Sequence, residues 1–494
     1  MKNTKISLII LLIISSFSVS AQENTRWLSL QEVIEIAKKQ SPDALMAKHR
    51  FRSSFWEYKT FKADYLPSLR LDGTLPDINR SIDPIFQPDG SIAYRESNST
   101  KASLTMSLNQ KIGITGGEFF IRSGLRRLDD YKDSTVTSYL STPINIGYSQ
   151  PLFKYNAYKW DKKIEPLKYL EAKSKYLEDV EQISITAVNH FFNLLLAQID
   201  RKIAMKNRSN YDTLFQIAFG RFNLGKIAEN ELLQLELNLL RAQSSVETSE
   251  LHLENITFIF KSFLRIKDDE NISLIPPLNT LHFDVPAQKA IDEAKKNSST
   301  GLDFEKRLLQ AASEMNYARL NNRFDANLSA NYGLNQEGPH LADAYKLPIE
   351  RQKLSLGITV PIFDWGVSKG RMKIAESKQD MVITAVEQER IDFVQNIYLK
   401  VVQFNMQKSQ LFIAAKSDTV AQKRYNITQQ RYLIGKINDV LELNSAQIDS
   451  DRSQKEFSRA LQTYWKSYFE LRKRTLYDFE KDRIILFDIN EIQE

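Results

Sequence analysis

Cysteine is absent from the 494 residues, so no disulfide holds this chain together and no lipid can be joined to an N-terminal cysteine. Any attachment to a membrane must then come from the fold itself. Histidine is scarce: His49, His190, His252, His282 and His340 are scattered, with no partner at metal-ligand spacing, and packing or solvent-facing roles are expected for all five. No G-x-S-x-G, P-loop or dinucleotide fingerprint occurs, and Gly113 to Gly117 reads as a hairpin turn rather than a phosphate cradle. No enzyme, cofactor or metal site is therefore expected. Acidic and basic residues interleave, as in Lys162-Lys163-Ile164-Glu165 and Glu480-Lys481-Asp482-Arg483, which reads as solvated helix faces and leaves no concentrated patch for nucleic acid. Glycine and proline, 16 and 14 residues, are too few for a loop-rich protein.

What remains is 42% apolar and 26% charged, the composition of a folded, strongly helical chain. Lys2 and Lys5 precede an apolar run from Ile6 to Phe17, followed by Val19-Ser20-Ala21, the pattern of a cleaved export signal over residues 1–21. That run is well short of the roughly 20 apolar residues of a membrane-spanning helix. Cleavage would remove two lysines and lower the formal charge from +6 to +4.

The chain contains its organising phrase twice. Arg221-Phe222-Asn223-Leu224-Gly225-Lys226-Ile227 returns 210 residues later as Arg431-Tyr432-Leu433-Ile434-Gly435-Lys436-Ile437. A glycine one turn after an Arg-aromatic pair can take the left-handed conformation that ends a helix, so each copy reads as the bend of a helical hairpin. Ala37-Lys38-Lys39-Gln40-Ser41 likewise returns as Ala294-Lys295-Lys296-Asn297-Ser298, with the breaks Ile275-Pro276-Pro277 and Asp284-Val285-Pro286 as linker. Leading into each bend, from about Ala157 to Phe222 and from about Val367 to Tyr432, apolar residues recur at steps of three and four. Examples are Val180, Ile183, Ala187, Phe191 and Leu194, and then Ile391, Val394, Tyr398 and Val401. Each run predicts a helix about 100 Å long. Leu232 to Phe263 and Val440 to Glu470 predict the return helices.

Period-two segments precede each long helix. Leu69, Leu71 and Leu75 alternate with polar residues, as do Ile144, Ile146 and Tyr148, and in the second half Leu328, Ala330, Tyr332 and Leu334, then Leu354, Leu356, Ile358 and Val360. Such alternation fits a sandwich as well as a transmembrane barrel. Pro151 to Gly225 and Pro361 to Gly435 are both 74 residues, whereas the first strand region is 47 residues longer than the second. The excess lies between about Leu75 and Tyr139. There Ala102, Leu104, Met106 and Leu108 alternate, and Thr115-Gly116-Gly117 leads into Phe119 and Ile121, which predicts an added hairpin. It either adds two strands to the wall or folds outside as a flap. Asp439 and Glu442, three apart after the second bend, could share a helix face; on sequence alone the preference of a helix N-terminus for acids is the better explanation of them.

The signal peptide, the Leu30-to-Ser41 phrase, the strand ends Pro151-Leu152-Phe153 and Pro361-Ile362-Phe363, and the twin Arg-aromatic-x-x-Gly bends together resemble the TolC-type outer-membrane efflux proteins. The resemblance implies a mainly α protein with a membrane β-barrel segment: a homotrimer whose subunits share one barrel in outer-membrane lipid and form a periplasmic tunnel of coiled helices. It implies a first structural repeat at 22–275, with strands in 65–153 and a helical hairpin at 157–265. The second, at 276–494, would hold strands in 324–363, a hairpin at 367–475 and a tail. It also implies a passive duct working with a periplasmic adaptor and an inner-membrane pump. Carried onto this sequence, Arg221, Phe222, Gly225, Lys226, Arg431, Tyr432, Gly435 and Lys436 become adaptor-docking residues, and Asp439 and Glu442 become candidates for the periplasmic gate. A structural or adhesive coiled-coil protein of the envelope is the alternative; it would have no use for strands placed before each long helix.

Overall fold

The computed structural model describes residues 25–131, 134–267, 270–277, 283–436 and 440–486; the expected signal peptide, His282 and Asp439 lie outside them. The elements in order are β1 (Thr25–Ser29), α1 (Leu30–Gln40), α2 (Pro42–Ala63), β2 (Ser68–Phe86), β3 (Ile92–Ile112), β4 (Gly117–Tyr131) and β5 (Thr135–Pro151). Then come α3 (Ala157–Asn223), α4 (Glu229–Leu264), β6 (Asn271–Ile275), α5 (Ala287–Asn297), α6 (Ser299–Asn321), β7 (Asp325–Gly338) and β8 (Ile349–Thr359). The chain closes with α7 (Val367–Leu433), α8 (Val440–Thr475), β9 (Tyr477–Asp478) and β10 (Arg483–Ile484). The duplication is exact in helix length: α3 and α7 have 67 residues each, α4 and α8 have 36 each. No described helix is long and apolar enough to cross a membrane.

Two compact units result, and each draws on both halves of the sequence. The first comprises the chain up to Arg50, Ser174–Ser298 and Phe393 onward. Helix α1 opens with a capping box, Ser29 accepting from the Glu32 amide while Glu32 accepts from that of Ser29. Its apolar stripe, Leu30, Val33, Ile34 and Ala37, is buried against Ile183, Ala187, Phe191 and Leu194 of α3, with Ile397, Val401 and Phe404 of α7 and Leu461, Tyr464 and Tyr468 of α8 in the same core. Ala290, Ile291 and Ala294 of α5 repeat the stripe of α1. The long helix read from about Val367 to Tyr432 is present as α7, with Val401 buried and Ile391 and Tyr398 more than half exposed. The helix is apolar on two sides, and among the described residues one of them is covered. A short parallel pairing of β1 with β6, beside the predicted linker, was not legible in periodicity because each strand has only five residues.

The second unit, Phe51–Lys173 and Ser299–Asp392, holds a single antiparallel sheet in the order β2-β3-β4-β5-β7-β8. The inserted residues are in the sheet: β3 pairs with β2 along its length and β4 pairs with β5, so the added hairpin contributes two strands and is not a flap. Cross-strand partners share a face. On one face Leu71 is opposite Met106, Leu108 opposite Ile121, Ile121 opposite Ile146, Ile146 opposite Tyr332, and Ala330 opposite Leu354. On the other, Arg70 is opposite Ser107, Ser103 opposite Arg126, Arg122 opposite Asn145, Ser149 opposite Ser329, and Asn331 opposite Lys353. One face is thus apolar across all six strands and the other polar.

Register fixes which end each turn occupies. Ile112 opposite Gly117, Pro151 opposite Asn327 and Asp325 opposite Thr359 lie at one end of the sheet, so the β3-β4 turn is at the end where β5 and β8 run on toward α3 and α7. There Asn156 donates its amide to the carbonyls of Gly113 (3.1 Å) and Ile114 (3.3 Å), and Gln150 donates to that of Thr115 (2.9 Å). Gly116 takes φ +75°, the left-handed turn position that glycine serves without strain.

Candidate functional site

The two bends lie in the first unit. Helix α3 ends because Gly225 adopts φ +64°, which turns the Gly225 amide onto the Phe222 carbonyl (2.8 Å) and the Lys226 amide onto the Arg221 carbonyl (2.9 Å). At the second bend Gly435, φ +72°, places its amide on the Tyr432 carbonyl (3.1 Å) and that of Lys436 on the Arg431 carbonyl (3.0 Å). Both are Schellman terminations, satisfying carbonyls that the helix end would leave open. A Cβ at Gly225 would meet nothing within 4 Å, so the glycine is required by backbone conformation and not by crowding. Leu224, Ile434, Lys226 and Lys436 are exposed at the two bends.

Alike in backbone, the bends differ in their side chains. Tyr432 is buried in a cluster with Leu214 and Ala218 of α3, Leu235 of α4 and Val440 and Leu443 of α8, and burial raises its phenol pKa. Its counterpart Phe222 is exposed. The Arg221 guanidinium lies over the Tyr432 ring, 5.4 Å from its centroid, and Nη2 donates to the carbonyls of Tyr432 (3.3 Å) and Leu433 (3.4 Å). Arg221 therefore caps the helix end at the other bend of its own chain. Arg431 is exposed, and among the described residues it has no such contact. Pattern matching pairs Arg221 with Arg431 as equivalents and cannot tell them apart, because the difference is made by what packs around them. Glu442 is exposed in the first turn of α8; with Asp439 outside the described residues, the expected acidic pair is not defined.

Just beyond the cluster, polar side chains join α3 to the second hairpin. Asn207 donates to Asp451 (2.7 Å), Tyr211 to Asn444 (3.0 Å), Asn210 to the Tyr425 hydroxyl (2.9 Å), and Lys455 pairs with Asp200 (2.6 Å). Burial pushes Tyr211 and Tyr425 up to about 12, so both remain neutral phenols at any physiological pH. Among the described residues no three His, Asp or Glu gather as a metal site; His190 stacks on Phe263 at 4.4 Å, and burial lowers its pKa.

The sheet carries a second candidate surface. Leu69, Leu71, Leu104, Met106, Leu354 and Leu356 are 41–76% exposed, an apolar face left uncovered among the described residues. Exposed Phe363 and Trp365 follow β8, and Phe86 and Tyr94 flank the β2-β3 turn at the opposite end of the sheet, so aromatic residues border the apolar band on both sides.

Residues 290–475, from α5 to the end of α8, match the family described as outer membrane efflux protein. No curated protein matches the sequence significantly. Among solved structures, the CmeC outer membrane channel of Campylobacter jejuni is 18% identical, with 94% of this chain and 89% of that one covered and a TM-score of 0.66. CusC, described in terms of folding and transmembrane channel formation, is 14% identical over 90% of this chain and 91% of its own at a TM-score of 0.62. VceC, an outer membrane protein of Vibrio cholerae, is 12% identical over 92% and 97% at 0.57. The resemblance read from the sequence is thereby met: the second repeat carries the signature of the outer membrane efflux family, and nearly the whole chain shares the fold of these channels.

Proposed function

With an outer membrane efflux signature in its second repeat and the fold of an outer-membrane channel, we infer that this protein is a passive exit duct of an efflux or secretion system. It would sit in the outer membrane as a homotrimer, its long helices forming a periplasmic tunnel. The observation that carries this reading is the sheet. One face is apolar, exposed and bordered by aromatics, the other is polar, and β2 and β8 are edge strands with unpaired backbone groups. In lipid every backbone donor and acceptor must be satisfied, and for strands only a closed barrel does so. Copies of the same sheet joined edge to edge close it, with the apolar face toward lipid and the polar face lining the pore. Three copies of six strands make a barrel of eighteen, wider than the same trimer without the inserted hairpin would form.

The bends would be the docking sites for a periplasmic adaptor, through Phe222, Leu224 and Lys226 on one and Arg431, Ile434 and Lys436 on the other, with an inner-membrane pump supplying energy. A fibrous envelope protein accounts for the helices but not for a lipid-compatible sheet. Fractionation tests the reading: the protein should co-sediment with outer membranes and require detergent for extraction, and its deletion should abolish export by its pump. A water-soluble monomer obtained without detergent would contradict it.

A further inference from the structure

The polar face of the six-stranded sheet is not neutral, and its charge is sorted by height. Register places Arg70, Ser107, Arg122, Asn145, Gly333 and Arg351 in one row across all six strands. Lys353 lies one row nearer the β3-β4 turn, opposite Asn331, and Arg126 two rows farther from it, opposite Ser103 and Leu140. All five cations are exposed and, among the described residues, none is in an ion pair. The same band holds two carboxylates, Asp72 opposite Thr105 and Glu337 opposite Leu140.

On either side of this band the signs cancel. Toward the β3-β4 turn, Lys111 faces Glu118 on the next strand and pairs with Asp64 (3.8 Å). Toward the other end, Lys101 faces Asp77. A wall in contact with water needs polar side chains but not charge of one sign, and serine, threonine and asparagine meet that need at most other positions of these rows. The excess of cations in the middle therefore calls for its own explanation. Arg122 is held along the wall without being neutralised, its guanidinium 4.1 Å from the centroid of the Phe120 ring.

Resting on the closed-barrel reading above, we propose that this belt is an electrostatic filter: the barrel lumen prefers anions, and the cargo it favours carries net negative charge, as carboxylates, sulfates and phosphates do. Rings of Arg and Lys are how an anion pore selects. Every copy adds the same excess of cations around the lumen. Because β2 and β8 are the edges of the sheet, Arg70 and Arg351 stand on adjacent strands of neighbouring copies wherever two sheets join, so the belt is continuous. Salt limits its reach. The Debye length is about 10 Å at 0.1 M and about 3 Å at 1 M, so the belt's field extends into the lumen at the lower concentration and stays near the side chains at the higher.

The test is the reversal potential of the full-length protein in a planar bilayer, with a gradient of KCl below about 0.1 M, where the field is least screened. Its two ions are almost equally mobile in water, so the sign reports the wall. The unaltered channel should reverse on the chloride side of zero and lose that preference at 1 M. Arg70→Gln, Arg122→Gln and Arg351→Gln together should move the reversal toward potassium, while lysine at the same three positions should restore it. Citrate, a probe of larger anions, should reduce the chloride current through the unaltered channel and not through the glutamine variant. A reversal on the potassium side in the unaltered protein would overturn the filter whether or not the variants assemble, as would a glutamine variant that conducts with an unchanged reversal. Equal action of citrate on both would overturn the cargo class. A protein that gives no conductance at all counts against the duct reading instead.

Discussion

Arg472 ties α3, α8 and the turn after α8 together through one guanidinium. It forms a two-pronged pair with Glu181 (3.1 and 3.0 Å), and its Nη1 reaches Asp478 (3.1 Å) and the Tyr468 hydroxyl (3.2 Å), fastening the end of α8 to α3 and to the turn that follows. Glu181 is 1% and Asp478 6% exposed at the side chain. Replacing Arg472 by Met strands two buried carboxylates, at a cost of about 3–5 kcal/mol, and should appear as a marked fall in the denaturant midpoint. Asp451 behaves in the opposite sense. Burial raises its carboxyl pKa, with the Asn207 amide only partly opposing the shift. The folded chain therefore holds this proton at pH values where the unfolded chain, near about 3.9, has lost it. Stability falls as pH rises from there through the raised folded value. Asp451→Asn, which can still accept from Asn207, should raise the melting temperature at neutral pH and have little effect at pH 4. Neither residue was legible in the sequence, because an ion pair between positions 181 and 472 has no signature in local pattern.

At the scale of elements, glycine was the readable residue: an Arg-aromatic-x-x-Gly phrase between two helical runs announced a left-handed termination, and Gly225 and Gly435 provide one. Valine at either position adds strain of about 1–2 kcal/mol without a clash, since space around Gly225 is open. Gly225→Val and Gly435→Val are expected to reduce export more than trimer assembly; normal export by both would remove the bends as docking sites. The inserted hairpin was legible from alternation and from the 47-residue mismatch between halves, but its placement required register. Since its turn lies at the end of the sheet that leads into α3 and α7, a cysteine at Ile114, 91% exposed, should face the periplasm. It should resist a membrane-impermeant thiol reagent in intact cells and react once the outer membrane is permeabilised.

For the whole molecule, the repeat explains both what was legible and what was not. Matching spacings gave two strand-helix-bend-helix copies, yet the copies are interleaved into two units, because α3 and α7 each run through both. Apolar spacing on α4 and α7 announced helices, and within one chain many of those residues are surface; an amphipathic pattern marks an apolar face without saying what covers it. The same holds for the sheet, whose alternation fits lipid on one side and water on the other only once its edges are joined to copies of itself. The central claim is that this assembly is an open-ended, passive path through a membrane. Electrical recording tests it most directly, with the detergent-extracted protein added to a planar lipid bilayer in the absence of nucleotide. Discrete conductance steps that vanish when the sample is first heated until the trimer dissociates are the predicted result. An intact assembly that inserts without conducting at any applied voltage would contradict it.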